Sequence, residues 1–327
     1  MSDLDNLLLG IYLAIFSARY DTFFAPNDIN EERLSLMNLK AGNAALLLIA
    51  AISVALTGCA SNQTTTNKVT GMSTNYKPQI TELLKSIETG DTKPIAYIKL
   101  GKYIQHNQAV GDGLAGFGEV LQALPKGSAK VNTVRVLQDG PFVVAHTDYN
   151  FFGPKIGFDI FRFEDGKVVE HWDNLQEKAA ANPSGHTMLD GATTVTDLDK
   201  TETNKALVRS FVDDILVNGK MEKLASYFDG DDYVQHNPQI GDGLSGLGKA
   251  LGEMAKAGIT MKYSTLHKVL GEGNFVLVVS EGAFAGKPTS FYDLFRVQNG
   301  KIAEHWDVVE TIPAHAQRKN ANGKFGF

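Results

Sequence analysis

An internal repeat constrains the fold of this 327-residue chain more than any other feature. Four short motifs occur twice in the same order: Tyr-x-Gln-His-Asn at 103–107 and 233–237, Gly-Asp-Gly-Leu at 111–114 and 241–244, Asp-x-Phe-Arg at 159–162 and 293–296, and His-Trp-Asp at 171–173 and 305–307. The copies are offset by 130 residues (236 − 106) at the first motif and by 134 (305 − 171) at the last, which indicates one duplicated domain with a small net loop insertion. A duplicated fold needs only its apolar pattern repeated, so the recurrence of titratable side chains predicts a repeated pocket.

The length of the chain fits two domains and an N-terminal extension. The expected division is an over-extended N-terminus at 1–36, a lipoprotein signal peptide at 37–58, a flexible tether at 59–76, a first domain at 77–180, a linker at 181–201, a second domain at 202–313 and a C-terminal tail at 314–327. His186 in the linker is expected to be solvated. The net charge of −6, without a sustained basic run, argues against a nucleic-acid partner.

The chain's one cysteine, Cys59, ends a segment typical of exported lipoproteins. Lys40 precedes an apolar run at 44–56, and the Leu-Thr-Gly-Cys sequence at 56–59 resembles a bacterial lipobox, in which the cysteine is lipidated and becomes the first mature residue. We therefore expect a cell-envelope protein anchored to the membrane through Cys59, on the periplasmic face or the outer membrane. The alternatives are a buried cysteine in an apolar helix, or a membrane anchor at 44–56 beside a helix at 7–16. The run is shorter than the ~20 residues of a typical span.

Each copy begins with helical periodicity and ends with strand-like alternation. In the second copy Leu207, Phe211 and Ile215 fall on one helix face. The pairs Asp165-Gly166 and Asn299-Gly300 each separate two alternating segments and predict two-residue hairpin turns. The expected fold class is α+β, with two tandem domains that each place N-terminal helices around a curved antiparallel sheet.

Side-chain alternation sorts the polar residues of the last hairpin in each copy. In the first copy Asp159 and Phe161 share one strand face, and on the partner strand His171 and Asp173 share a face with Trp172 opposite. Carboxylates and imidazoles on a buried sheet face are costly unless they line a pocket or pair with each other. The pattern therefore favours a polar cluster on one face of each sheet.

Together, the motifs resemble those of the SnoaL-like polyketide cyclases, in the nuclear-transport-factor-2-like superfamily. The resemblance covers both copies, about two thirds of the chain. It implies a cone-shaped domain with a ligand cavity at its wide end. Members of the family often dimerise through their sheets, so the two copies are expected to pair internally as a pseudo-dimer.

The resemblance also implies site residues. In characterised cyclases of the family an Asp with a nearby His acts as acid and base, and the matching positions are Asp159 with His146, and Asp293 in the second copy. With an offset of 134, the counterpart of His146 is Ser280. The remaining acid/base candidates are His106, His171, His236 and His305. The ligand-binding candidates are Tyr103, Tyr233, Trp172 and Trp306.

Structural interpretations compete with these roles. Asp159 could instead pair with Arg162, the repeated His106 and His236 could cap the following helix, and the tryptophans could be core residues. A metal held by His106, His171 and Asp173 has no support from a compact His-x-x-x-His spacing, so we expect neither metal nor cofactor. The Gly-x-Gly-x-x-Gly sequence at 111–116 lacks the βαβ context of a dinucleotide site.

Three hypotheses for function follow. The first is cofactor-free acid/base catalysis, by aldol cyclisation, isomerisation or hydrolysis, on a small apolar carbonyl compound bound in a cavity of the first copy. The second is a non-catalytic module that binds a small apolar molecule, and the third is a surface that binds protein. The fold alone does not decide among them.

Overall fold

The structure is a computed structural model that describes residues 74–125 and 127–327. The proposed N-terminal extension, the signal peptide, Cys59 and most of the tether lie outside the described residues. Within the described ranges, no helix combines the length and the apolar character needed to cross a membrane.

The first half of the described chain builds one five-stranded sheet. Its elements are α1 (Lys77–Thr89), a 3₁₀ turn (Lys93–Tyr97), β1 (Ile104–Gln105), α2 (Gly113–Ala123), β2 (Lys130–Asp139), β3 (Phe142–Asn150), β4 (Pro154–Glu164) and β5 (Lys167–Glu177). The strand order is β1-β5-β4-β3-β2, with β1 parallel to β5 and the other pairs antiparallel. Asp165 and Gly166 both have positive φ, 51° and 73°, which confirms the predicted tight turn.

The second half builds a sheet of the same strand order. Its elements are α3 (Thr201–Phe211), a π-helical segment (Val212–Val217), a 3₁₀ turn (Met221–Tyr227), β6 (Val234–Gln235), α4 (Gly243–Lys256), β7 (Met261–Glu272), β8 (Phe275–Phe284), β9 (Lys287–Gln298) and β10 (Lys301–Thr311). The order is β6-β10-β9-β8-β7, with β6 parallel to β10. Asn299 and Gly300 form the second predicted turn, with φ of 51° and 74°.

Apolar helix faces pack on one face of each sheet. Helix α1 buries Ile80, Leu83 and Leu84 in a cluster with Val143 and Phe161 of the first sheet. The predicted apolar helix face is confirmed, because Phe211 of α3 and Ile215 of the π-helical segment are buried in a cluster with Phe295 of the second sheet, and Leu207 packs against it. The mixed α+β class is therefore confirmed, although the helices that cover each sheet are few.

The opposite faces of the two sheets meet in a shared apolar cluster. Ile160 and Trp172 of the first sheet and Leu294 and Trp306 of the second belong to it, and all four are at most 1% exposed. Asn174 reaches across this contact, and its Nδ2 donates to the carbonyl oxygens of Ser290 at 2.9 Å and Val308 at 3.0 Å. Both sheets consequently lie in one compact unit.

The segment that follows each sheet docks on the other half of the molecule. In the linker, Asn182 Nδ2 donates to the carbonyl oxygens of Gln235 (2.6 Å) and Ile240 (2.9 Å). In the C-terminal tail, Asn322 Nδ2 donates to the Gln105 carbonyl at 2.9 Å, and Asn320 makes similar bonds to the neighbouring backbone. The two extensions thus cross over and cover the Tyr-x-Gln-His-Asn segments of the opposite halves.

Candidate active site

A buried carboxylate–imidazole pair lies on the helix-covered face of the first sheet. His171 Nε2 is 3.0 Å from Asp159 Oδ1, and His171 Nδ1 is 3.1 Å from Gln105 Oε1. The hydroxyl of Tyr149 donates to Asp159 Oδ2 at 2.6 Å. Gln105 Oε1 also accepts the backbone N–H of Asn107 at 2.8 Å, which fixes its orientation as an acceptor. Asp159, His171, Gln105 and Tyr149 thus form a Tyr–Asp–His–Gln chain of hydrogen bonds.

The second sheet carries the same chain. His305 Nε2 is 3.0 Å from Asp293 Oδ1, and His305 Nδ1 is 3.0 Å from Gln235 Oε1. Tyr263 donates its hydroxyl to Asp293, with oxygen–oxygen distances of 3.2 and 3.3 Å. The repeat in the sequence therefore corresponds to a repeated hydrogen-bond network.

The tyrosine of this network comes from a different strand in each half. Tyr149 lies on β3 opposite Val131, whereas Tyr263 lies on β7 opposite Gly282. The register of the strands makes Tyr263 equivalent to Val131 and Tyr149 equivalent to Gly282. In each half one of these two facing positions is a tyrosine and the other a smaller residue, Val131 or Gly282. The tyrosine hydroxyl reaches the equivalent carboxylate, Asp159 or Asp293, from either position.

A second carboxylate lies beside each pair. Asp173 is directly opposite Asp159 on β5, and Asp307 is opposite Asp293 on β10. Asn107 Nδ2 donates to Asp173 Oδ2 at 2.8 Å, and Asn237 Nδ2 donates to Asp307 Oδ2 at 2.7 Å. Among the described residues neither Asp173 Oδ1 nor Asp307 Oδ1 has a hydrogen-bond partner, but Lys324 Nζ lies 3.9 Å from Asp173 Oδ1 as an ion-pair partner.

Burial controls the acidity of these groups. The pKa of Asp159 is raised because burial disfavours the carboxylate, against the opposing effect of His171. Burial also raises the pKa of Asp307, and the charge of Asp293 adds to this. The pKa of Tyr263 lies well above its usual range, first through burial and then through Asp293, which keeps the phenol protonated.

The ligand atoms of Asp159, His171 and Asp173 lie within 4.8 Å of one another, as do those of Asp293, His305 and Asp307. Each set has the composition of a metal site, two carboxylates and one imidazole. In the described structure, however, each imidazole already contacts a carboxylate and a glutamine, so the arrangement also suits a metal-free acid/base pair.

His146 does not contact Asp159, and the predicted pairing of these two residues is wrong. Ala145 is the residue of β3 opposite Asp159, so His146 points to the other face of the sheet. There its ring stacks on Phe158 at 4.2 Å, and its Nδ1 lies 3.2 Å from Arg135 Nη1. Burial, with Arg135 alongside, lowers the pKa of His146 well below its usual value, which keeps the ring a neutral acceptor.

The counterpart of His146 is Val279 rather than Ser280. His146 is paired with Phe158 and Val279 with Tyr292, and the two aromatic positions are equivalent because each precedes the repeated aspartate. The offset between the copies is therefore 133 residues on this strand (279 − 146). The predicted counterpart Ser280 is therefore wrong, and the second copy has a valine, not a histidine, at this position.

The histidines of the Tyr-x-Gln-His-Asn segments lie away from the Asp–His pairs. His106 Nε2 is 2.9 Å from Glu170 Oε1, and the ring stacks on Trp172 at 4.6 Å. His236 is 2.9 Å from Glu304 Oε1 and stacks on Trp306 at the same spacing. Because Gln105 and Gln235 point to the polar cluster, alternation directs the following histidines to the opposite face.

The four aromatic candidates divide in the same way. Trp172 and Trp306 belong to the shared cluster between the sheets, which supports the core interpretation. Tyr103 and Tyr233 lie on the side of the polar cluster, and Gln235 Nε2 donates to the Tyr233 hydroxyl at 3.2 Å. Burial and the nearby Asp307 raise the pKa of Tyr233 well above its usual value.

An apolar cavity of about 370 Å³ lies in the second half, between its helices and the outer strand β7. Six of its lining residues define its walls: Phe211, Ile215, Leu247, Leu251, Met254 and Tyr263. Tyr263 thus connects the cavity to the buried Asp293. The sequence analysis predicted an apolar cavity in the first copy, and the structure shows one in the second copy.

Residues 208–305 match the model of the SnoaL-like domain family. The chain contains a SnoaL-like domain. The match covers the cavity and the Asp293–His305 pair. Comparison with curated proteins gave no match.

Similar solved structures are small proteins that align with about one third of the chain. A candidate ketosteroid isomerase from Kribbella flavida is 16% identical over 35% of this chain and 83% of that chain, with a TM-score of 0.30. An epoxide hydrolase of the LEH-like type from M. tuberculosis is 19% identical over 34% and 85%, with a TM-score of 0.28. An NTF2-like protein from Cytophaga hutchinsonii is 18% identical over 37% and 95%, with a TM-score of 0.26.

Proposed function

We propose that the SnoaL-like domain binds a small apolar carbonyl compound and catalyses proton transfer on it without a cofactor. One observation carries this proposal: Tyr263 lines the apolar cavity while its hydroxyl contacts the buried Asp293–His305 pair. A cavity of about 370 Å³ with apolar walls and few polar groups has the character of a small-molecule site.

The network suits a proton relay. The relay requires one proton in the contact between Asp293 and His305, whose Nδ1–H is donated to Gln235. The α-proton of a bound ketone passes to the Tyr263 oxygen as the phenol proton passes to the other oxygen of Asp293. The proton of Asp293 then passes to His305 Nε2, leaving an enolate and an imidazolium, and the reverse sequence returns a proton to carbon or oxygen. The transfers between Tyr263, Asp293 and His305 run along contacts of 3.0 to 3.3 Å.

A second candidate is a binding module without chemistry. The observation that favours it is the position of Asp293, which is 1% exposed and contacts the cavity only through Tyr263. In that case the network serves to satisfy a buried carboxylate, and the cavity holds an apolar ligand unchanged.

Exchange of α-protons for deuterium separates the two candidates. A panel of small apolar ketones in D₂O would be followed by NMR with and without protein. We expect faster exchange with the wild type and a loss of about 10²-fold with Asp293→Asn or Tyr263→Phe. Tyr149→Phe, which removes the corresponding bond in the first sheet, is the matched control and should leave exchange unchanged.

Two results would decide against catalysis. Binding of ketones by native mass spectrometry without any exchange would support the binding module. Exchange that persists in both Asp293→Asn and Tyr263→Phe would show that the relay is not the base.

We also propose that the chain contains two copies of the SnoaL-like domain that pair as an internal pseudo-dimer. The repeated motifs, the common strand order and the shared apolar cluster support this proposal. Membrane anchoring through Cys59 in a bacterial envelope is a further proposal, supported by the lipobox-like sequence. Cys59→Ser should release the protein from the membrane fraction; unchanged retention would contradict the anchor.

A further inference from the structure

The linker brings a histidine and an aspartate onto the second half of the molecule. Asn182 accepts the backbone N–H of His186 at its Oδ1 (2.9 Å), and Asp190 Oδ1 accepts that of Thr187 (2.7 Å). These bonds fold residues 182–190 into a compact turn over His236. His186, expected to be a solvated linker residue, is therefore part of an ordered cluster and only about one third exposed at its side chain.

Three potential metal ligands converge in this cluster. His186 Nδ1 lies 3.0 Å from Asp190 Oδ2, and His236 Nδ1 lies 3.0 Å from Asp190 Oδ1. The ligand atoms of all three residues lie within 4.8 Å of one another. Two imidazole nitrogens and a carboxylate are a donor set that suits zinc and similar divalent ions.

The hydrogen-bond partners of His236 call for a positive charge at its Nδ1. Its Nε2 faces Glu304 Oε1 at 2.9 Å, and its Nδ1 faces both the Thr187 carbonyl oxygen (2.9 Å) and Asp190 Oδ1. All three are acceptors, and a neutral imidazole can donate to only one side. Either a second proton or a bound cation must therefore occupy Nδ1, in a side chain with no solvent exposure.

His186 has the same property. Its Nδ1 faces Asp190 and its Nε2 lies 3.3 Å from Asp242 Oδ2, so both partners are again acceptors. Satisfying both histidines with protons would place two imidazolium rings 5.2 Å apart. One divalent cation on the two Nδ1 atoms avoids this repulsion and leaves each Nε2–H to donate to its own carboxylate.

Metal-binding histidines commonly show this arrangement, in which the ring nitrogen that does not bind the metal donates to a carboxylate. A ligating histidine usually donates its other ring N–H to a carboxylate, which fixes the tautomer and orients the ring. Here Asp242 would hold His186, and Glu304 would hold His236. Glu304 is itself fixed by Arg296, whose Nε lies 2.6 Å from Glu304 Oε2.

The first half of the molecule provides an internal comparison. His106 matches His236 in its stacking on a tryptophan and in its contact with a glutamate. Among the described residues, however, its Nδ1 meets a single acceptor, the carbonyl oxygen of Gly323 at 2.7 Å, and no carboxylate. The tail that covers His106 supplies no counterpart of His186 and Asp190 there, so the extra ligands belong to the linker alone.

We propose that His186, Asp190 and His236 bind one divalent transition-metal ion of the zinc type. The ion fastens the linker to the second half of the molecule, and a water molecule or the Thr187 carbonyl completes its coordination. The site shares no residue with the Asp293–His305 pair.

Metal titration of the full chain tests this proposal. After removal of metals with a chelator, Zn²⁺ would be titrated by calorimetry and Co²⁺ by visible absorption at pH 7.5. We expect one equivalent to bind, at least about 100-fold more weakly to His186→Gln and Asp190→Asn. Affinity should fall at least about tenfold at pH 5.5, because protons compete for the two imidazoles.

Matched variants assign the bound ion. His106→Gln changes the equivalent histidine of the first half and should retain the equivalent of metal. Asp159→Asn and Asp293→Asn should retain it as well. The proposal is overturned if the wild type binds neither ion, or if His186→Gln binds it as tightly as the wild type. Loss of binding in His106→Gln, Asp159→Asn or Asp293→Asn instead would also overturn it, by placing the ion elsewhere.

Discussion

Replacement of Asp307 by asparagine should stabilise the protein at neutral and alkaline pH. The Asp307 carboxylate is 8% exposed, faces Asp293 across the strand pair and has one oxygen without a hydrogen-bond partner among the described residues. Asparagine keeps the shape and can still accept the bond from Asn237. It removes a charge that burial disfavours.

The direction of this change in stability with pH follows from the raised pKa of Asp307. The unfolded chain ionises near the ordinary value of 3.8, whereas the folded protein resists ionisation until a higher pH. The contribution of Asp307 to the free energy of unfolding of the wild type is therefore fully present below pH 3.8. It is lost as the pH rises through the pKa that Asp307 has in the folded protein. Each unit of pKa difference corresponds to about 1.4 kcal/mol.

One opposing effect reduces the gain. The bond from Asn237 to a carboxylate is stronger than the same bond to an amide oxygen, by about 1 kcal/mol. A buried charged acceptor without a partner costs about 1–3 kcal/mol, so for Asp307→Asn we expect a net gain of up to about 2 kcal/mol in the free energy of unfolding at pH 8 and little or no gain at pH 4.

Urea unfolding at pH 4, 6 and 8 measures this difference. The matched control is Asp173→Asn in the first half, where Lys324 lies 3.9 Å from the carboxylate and is 4% exposed at its side chain. Asp173→Asn removes one of the two carboxylates that lie near the buried Lys324 and leaves Glu310. This control variant should therefore be less stable than the wild type at pH 8. The reasoning fails if Asp307→Asn is destabilised at pH 8, or if its difference from wild type does not change with pH.

Two further predictions concern the contacts between the halves. Asn174→Ala removes two bonds across the sheets, so we expect a loss of about 1–3 kcal/mol in urea unfolding; a change under 0.5 kcal/mol would contradict it. Phe327→Ala removes a ring that stacks on Trp172 at 4.5 Å, and we expect a loss of about 1 kcal/mol with faster hydrogen exchange in the tail. Exchange unchanged from wild type would show that this stacking contact does not hold the tail in place.

Local sequence patterns predicted much of the fold, but His146 was assigned to the wrong sheet face. The reason is a difference in hairpin length between the two copies that these patterns do not reveal. Asn150 pairs with Pro154 across a three-residue turn. At the equivalent position of the second copy Ala283 pairs with Pro288, and one further pair, Phe284 with Lys287, leaves a two-residue turn, so this hairpin is one residue longer in the second copy. The extra residue shifts the alignment of the copies by one along this strand. Because side chains alternate, a shift of one residue moves a side chain to the opposite sheet face.

The candidate site was predicted in part. His171 and His305 were among the predicted residues. Gln105 and Gln235 were not, although their recurrence in the Tyr-x-Gln-His-Asn motif marks them as equivalent. Tyr149 carried none, because its counterpart lies on another strand. No local pattern in the sequence reports that two positions face each other across a sheet.

The tyrosine of the network lies on a different strand in each half. This difference shows that the buried aspartate needs hydrogen-bond partners but does not fix the strand that supplies them. Asp159 and Asp293 are 4% and 1% exposed, and a buried carboxylate needs donors wherever they come from. Each contacts a histidine and accepts a bond from a phenol, although the phenols arise on different strands. The network by itself is therefore consistent with a purely structural role in either half. What distinguishes the second half is that its phenol also lines an apolar cavity, so the case for chemistry rests on Tyr263 and not on the Asp–His pair that both halves share.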